Sequence, residues 1–141
     1  MSDPYRLQRF VDAQDTGNTF RDAVSELRGG RKVGHWMWFV FPQIAGLGQS
    51  PTSRTFAISS LLEARAYLLH HVLAARLIEC TRILTAISGR TALEIFGATD
   101  AKKLQSSMTL FVHAAPDNPL FQQVLDLYFG GVADQGTARR L

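Results

Sequence analysis

The chain has 141 residues, of which 46% are hydrophobic and 19% are charged. This length suits one domain, and this composition excludes the low hydrophobicity and high charge of disordered proteins. Lys and Arg number 15 against 12 Asp and Glu, and the net charge of +3 is too small to predict a nucleic acid partner. The single cysteine, Cys80, cannot form an internal disulfide, so the sequence favours a cytoplasmic protein.

Two helices are predicted near the N-terminus. Asp3 followed by Pro4 is typical of a helix start, and the polar TGN string at 16–18 ends this helix. Thr19 is placed to cap a second helix, which the glycine pair 29–30 terminates. Charged residues interrupt the first ten positions, so we expect no secretory signal peptide.

The next segment, RKVGHWMWFVFPQIAGLGQSP, shows neither clean alternation nor a helical stripe. Nearly every residue from 36 to 41 is apolar, which fits a short buried helix or a buried strand, and we favour the helix. Pro42 and two glycines interrupt this run well short of the roughly 20 apolar residues that a membrane helix needs. We therefore expect buried core without membrane contact, followed by a loop at GLGQSP.

Helical patterns dominate the rest of the chain. Ser60 and Glu63 have capping-box spacing and predict a helix from 61 to about 69. A longer helix follows from 71 to about 87, and Cys80 lies in its apolar stripe as a small buried hydrophobic residue. Four further helices are predicted: one from Thr91 to Gly97, one from Thr99 or Asp100 to Pro116, one from Asn118 to Gly130 and a short one from Asp134. Residues 1–141 are thus predicted to form a single compact, mainly α domain of about seven helices.

Four strings occur in order along the chain, namely GRKVGHWMWFVFPQIAGLGQS, EARAYLLHHVLAARLIECT, KLQSSMTLF and YFGG. Together they resemble the bacterial family named domain of unknown function 1810, over nearly the whole chain. The resemblance implies a mainly helical single domain and no established activity. Some members carry the label calpastatin, which we set aside because calpastatins are long, disordered, repeat-bearing inhibitors.

The polar residues of the aromatic segment form a first candidate site. Trp36 and Trp38 could stack on a planar ligand, while Lys32, His35 and Gln43 supply hydrogen bonds or charge. The alternative is a core aromatic segment whose polar groups bond to the backbone.

A second candidate lies on the 99–115 helix, where Lys103 and Ser107 are four residues apart and share a face. This is the spacing at which a lysine could activate a serine nucleophile, but nothing in the sequence shows the burial that would make Lys103 a base. Hydroxyls bonded to backbone or water are the default alternative. No histidines, cysteines and carboxylates have the spacing of metal ligands, and we expect no metal and no cofactor.

The sequence therefore favours a cytoplasmic domain that binds or acts on a small polar ligand such as a nucleotide-like molecule. Seven residues are the expected contributors: Lys32, His35, Trp36, Trp38, Gln43, Lys103 and Ser107. The alternative is a protein–protein interaction module without catalytic activity, which would use a helix face or the aromatic segment and would expose an apolar patch. Nucleic acid is disfavoured as a partner because most basic residues are scattered among acids.

Overall fold

The structure is a computed structural model and describes residues 2–141. This range contains nine helices joined by loops. They are α1 Gln8–Asp15, α2 Thr19–Arg28, α3 Met37–Val40, α4 Pro51–Thr55, α5 Leu61–Leu69, α6 His71–Ala86, α7 Ala92–Ala114, α8 Leu120–Phe129 and α9 Gln135–Ala138. Six of them have seven residues or more, and the described range contains no strand. The predicted single compact, mainly α domain is confirmed.

The centre of the core is the second half of α7, which packs against α5, α8 and α9. Its predicted stripe of Leu104, Met108 and Phe111 is fully buried. Helix α6 packs against α2, α5 and α8 through its own predicted stripe, in which Leu77 and Cys80 are buried. The predicted placement of Cys80 is therefore confirmed.

The first helix starts later than the sequence indicates. Asp3 does accept hydrogen bonds from helix-start N–H groups, those of Leu7 at 2.8 Å and Gln8 at 3.1 Å. However, α1 begins only at Gln8, because Arg6 has a left-handed φ of 52° that no helix continues through. The predicted start at Asp3 and Pro4 is wrong by about one turn.

The aromatic segment forms the four-residue helix α3 rather than a strand, as expected. The following loop runs beside residue 58, where a parallel bridge joins Ile44 to Ile58. Residues 46–50 form the loop expected for GLGQSP, but sequence reasoning missed the short helix α4, which Ser50 caps by accepting a hydrogen bond from the Ser53 N–H at 3.1 Å. No described helix is long and apolar enough to cross a membrane.

Local capping signals in the second half are largely confirmed. Thr91 and Glu94 form a reciprocal capping box with bonds of 2.9 and 3.1 Å. Gly97, with φ 78° and ψ 167°, breaks α7 into two arms where the sequence predicts one helix to end. Ser60 caps α5 by accepting from the Glu63 N–H at 3.2 Å, but no reciprocal box forms, because the Glu63 carboxylate accepts from the N–H and hydroxyl of Ser59 and pairs with Arg9.

Candidate functional site

Two adjoining cavities form a groove between residues 43–57 and α7. The first, the Trp38 cavity, has a volume of about 220 Å³ and is bordered by Trp38, Phe56 and Arg54. The second, the α7 cavity, has a volume of about 460 Å³ and is bordered by α7 and the start of α9. Three residues border both: Gln43, Gly48 and Ser53. The larger volume lies within the range of small-molecule sites, which is about 300–1,000 Å³.

Gly48 makes the wall of this groove possible. A Cβ atom on Gly48 would lie 2.5 Å from the Ser53 Cβ, so only glycine lets the loop approach α4 this closely. The approach holds α4, and Arg54 within it, against the loop that follows the aromatic segment. The groove therefore depends on the contact between the loop at Gly48 and the five-residue helix α4.

Trp38 presents a partly exposed indole to the groove. The Nζ atom of Lys103 lies 4.5 Å from the centroid of this indole, and it also lies 3.6 Å from an oxygen of Asp100. The indole Nε1 of Trp38 is buried and has no hydrogen-bond partner among the described residues. Trp38 thus offers a ring surface to the groove, and the Lys103 ammonium holds this ring against α7.

Gln43 lies at the junction of the two cavities and is half-buried. Its backbone carbonyl accepts a hydrogen bond from the Ile58 N–H at 2.8 Å, which fixes the residue beside α4. Its side-chain amide is bonded to no group within residues 2–141. One donor group and one acceptor are therefore available in the shared wall.

Lys32 and Trp36 form a second lysine–tryptophan pair behind the groove. The Nζ atom of Lys32 lies 5.0 Å from the Trp36 ring centroid and 2.7 Å from an oxygen of Asp100. Trp36 is buried, so no ligand can reach its ring. These two predicted residues support the site from inside rather than border it.

Glu26, which sequence reasoning missed, organises the turn before α3. One of its oxygens accepts hydrogen bonds from the Val33 N–H, the Gly34 N–H and the Trp36 Nε1 at 2.7–3.0 Å. Burial alone would raise the pKa of Glu26. These hydrogen bonds and the charge of Lys32 together outweigh burial, so the pKa of Glu26 is below its usual value. No local signal marks this role, because Glu26 is one of several polar residues on α2.

Two of the predicted residues lie elsewhere. His35 is exposed and borders neither cavity. Ser107 is fully buried, and its Oγ has no hydrogen-bond partner in the described part of the chain. The structure therefore brings Trp38, Gln43 and Lys103 to one groove and does not bring His35 or Ser107 to it.

Asp134 borders the α7 cavity and was read from the sequence only as a helix start. One oxygen lies 2.8 Å from the Nζ of Lys102, and the other accepts bonds from the N–H and the hydroxyl of Thr137. Burial alone would raise the pKa of Asp134. The bonds from Lys102 and Thr137 outweigh burial, so the pKa of Asp134 is below its usual value. Residues 2–141 contain no group of three His, Cys, Asp or Glu arranged to hold a metal ion.

The two serine hydroxyls that border the groove are already engaged. The Ser53 hydroxyl lies 2.8 Å from that of Ser50, and Ser106 donates to the carbonyl of Lys102 at 3.1 Å. What the groove offers is an indole, a free amide and several cations. This set suits recognition of a molecule with a planar part and polar or anionic groups.

A family model described as "Protein of unknown function (DUF1810)" matches residues 4–141. The fold is similar to the crystal structure of the conserved hypothetical protein Rv1873 from Mycobacterium tuberculosis, with a TM-score of 0.95. The two sequences are 52% identical, and the similarity covers 99% of this chain and 98% of the other. No curated protein matches the chain.

Proposed function

Since the chain belongs to the DUF1810 family, whose description assigns no activity, we propose from the groove itself that the protein binds a small polar ligand with a planar, nucleotide-like part. The planar part lies against Trp38, and Gln43 hydrogen-bonds its edge. Lys103 holds the indole in position and contributes positive charge to the neighbouring cavity.

The observation that carries this proposal is the unused amide of Gln43 in the wall between the two cavities. This amide makes no hydrogen bond with the described residues and is not sealed from solvent, so it can exchange water for a ligand. Beside a partly exposed indole, such an amide is suited to read the edge of a heterocyclic base.

The size of the Trp38 cavity fits this assignment. A cavity of about 150 Å³ accepts a benzene-sized molecule, and the Trp38 cavity has a volume of about 220 Å³. It therefore has room for a single planar ring system. The larger α7 cavity adjoins it at Gln43 and leaves room for substituents on that side of the ring.

Isothermal titration calorimetry with a panel of purine and pyrimidine nucleosides tests the proposal. We expect at least one nucleoside to bind the wild type, and Trp38→Leu and Gln43→Ala each to weaken binding about tenfold or more. Binding should also alter tryptophan emission, and Trp38→Leu should abolish this change because Trp36 is buried.

Gln49→Ala is the matched control, since Gln49 is exposed on the same loop and borders neither cavity. It should leave the affinity unchanged. Equal losses in Gln43→Ala and Gln49→Ala, or no binding by any nucleoside, would contradict the proposal.

The alternative from the sequence, an interaction module that uses a helix face or the aromatic segment, stays a prediction, and the buried rings give the aromatic segment less support. Trp36 and Phe41 are buried, and only part of Trp38 is available to a protein partner. We further propose that the protein works in the bacterial cytosol. Its free thiol at Cys80 is buried, as suits a reducing compartment, and the similar structure is from a bacterium.

A further inference from the structure

Arg54 lies between the Trp38 cavity and a separate cleft of about 220 Å³. This cleft, here the arginine cleft, is also bordered by Arg6 and Arg9. Arg54 is exposed, and its guanidinium makes no ion pair or hydrogen bond with the described residues. One residue of α4 therefore offers a free cation to both spaces.

Arg9 is fully engaged and is not available to a ligand. Its guanidinium donates to four backbone carbonyls at 2.6–3.0 Å and pairs with Glu63 at 2.9 Å. This pair neutralises the one carboxylate that borders the arginine cleft. The remaining charge of the cleft is positive and comes from Arg6 and Arg54.

Arg6 is held beside the cleft by a strained backbone. Its φ of 52° is the only positive value of a non-glycine residue within 2–141. The turn is fixed because the Arg6 N–H donates to the Asp3 carbonyl, while the Asp3 carboxylate is occupied by the N–H groups of Leu7 and Gln8. The exposed Arg6 side chain has no acidic partner in the described range.

The carboxylates elsewhere along the groove are also neutralised. Asp134 pairs with Lys102 at 2.8 Å, and Asp100 pairs with Lys32 and Lys103. Lys102 and Lys103 are thus each held by a carboxylate, whereas Arg54, which borders both the Trp38 cavity and the arginine cleft, has no acidic partner among the described residues.

We infer that the ligand of the groove is a nucleoside phosphate, with its base against Trp38 and its phosphate on Arg54. Arg6 borders the same arginine cleft and adds a second positive charge there. A guanidinium presents planar paired donors that match phosphate oxygens, and these charge-assisted bonds are stronger than neutral ones. This inference rests on the proposed function, because it extends the same site.

Calorimetric titrations of adenosine and guanosine, their 5′-monophosphates and inorganic pyrophosphate test the inference. In the wild type, we expect the monophosphate of a bound nucleoside to bind about tenfold more tightly than the nucleoside. Arg54→Gln should remove most of this gain, so that this variant binds the nucleoside and its monophosphate with similar affinity. Added salt should weaken only the phosphate-dependent part.

Arg65→Gln is the matched control, because Arg65 is exposed on α5, borders no cavity of the groove and has no ion pair among the described residues. It should reproduce the wild-type affinities. Equal affinities for nucleoside and monophosphate would overturn the inference while leaving the proposed function standing. So would equal effects of Arg54→Gln and Arg65→Gln.

The pyrophosphate titration tests the anion site independently of nucleoside binding. If no nucleoside binds, the proposed function fails. Arg54-dependent binding of pyrophosphate would then still support the anion site, and its absence would overturn that site as well.

Discussion

The Lys103 ammonium lies 4.5 Å from the ring centroid of Trp38 and shares Asp100 with Lys32, which lies over Trp36. One carboxylate thus joins two lysine–tryptophan pairs and ties the aromatic segment to α7. The inner pair is buried and the outer pair borders the groove. The two tryptophans of the aromatic segment therefore differ in place, because Trp36 lies in the core and Trp38 borders the groove.

The outer pair can be measured directly with a double-mutant cycle. Lys103→Met keeps the apolar stem of the side chain and removes the charge, while Trp38→Leu removes the ring. We expect a coupling free energy of about 0.5–1 kcal/mol, the usual worth of a partly exposed cation–π contact. Urea unfolding of the wild type, both single variants and the double variant gives this value. A coupling near zero would show that the contact contributes nothing to stability.

Glu26 should make the stability of the protein sensitive to acid. Burial raises its pKa, but the N–H donors of Gly34 and Val33 and the indole N–H of Trp36 lower it below the ordinary 4.5. The unfolded chain therefore binds this proton more readily, and the stabilisation is full above about pH 4.5 and lost as the pH falls through the folded-state pKa.

The measurement compares Glu26→Gln with the wild type across acidic pH. The difference between their free energies of unfolding should be largest at neutral pH and should shrink below about pH 4.5. Glu79→Gln is a control on an exposed side chain, loosely paired with Arg28 at 3.8 Å. Parallel pH profiles for the two variants would contradict the role of Glu26.

Local bonds explain which parts of the fold can be predicted from the sequence. The Thr91 cap and the Gly97 break are confirmed because their signals lie within one helical turn of the feature that they produce. The start of α1 is wrong because Arg6 adopts a left-handed conformation, for which an arginine gives no sequence signal. Asp3 still caps the helix, but across a turn.

The groove depends on contacts that no local pattern encodes. Gln43 meets α4 because its carbonyl bonds to Ile58, and the loop closes because Gly48 lies against Ser53. The sequence predicts seven candidate ligand-binding residues. The tertiary contacts bring three of them, Trp38, Gln43 and Lys103, to one groove. Arg54 lies in no recognisable motif, and only its position between two cavities draws attention to it.

Cys80 should be unreactive in the native protein. Burial, followed by the charge of Glu79, raises the pKa of its thiol to about 12, and its side chain is fully buried. Because the thiolate is the reactive form, a disulfide reagent in mildly alkaline buffer should label the thiol only as fast as the protein unfolds. Full labelling in denaturant is the positive control. Rapid stoichiometric labelling of the folded protein would contradict the packing of α6.

Gly97→Ala should destabilise the protein through backbone strain alone. With φ 78° and ψ 167°, the position lies in a region that is essentially restricted to glycine, and the expected loss is about 1–3 kcal/mol. An added Cβ would meet no atom within 4 Å, so steric crowding plays no part. Gly29→Ala is the control, since φ there is −77° and alanine fits. Chemical denaturation should show little or no loss in Gly29→Ala, and equal losses would contradict this account.

Arg9 and Glu63 form the structural ion pair of the arginine cleft, with side chains that are only 15% and 3% exposed. Arg9→Met removes the ion pair and four hydrogen bonds to carbonyls and leaves the buried Glu63 carboxylate with only the N–H and hydroxyl of Ser59, so we expect a loss of about 3 kcal/mol in guanidinium unfolding. Adding Glu63→Gln should restore part of this loss, because it removes the unpaired charge. Arg54→Gln, at an exposed position without a partner, should change stability by less than about 0.5 kcal/mol. If Arg9→Met were as mild as Arg54→Gln, Arg9 would be free to bind ligand, and the assignment of the phosphate to Arg54 would lose its basis.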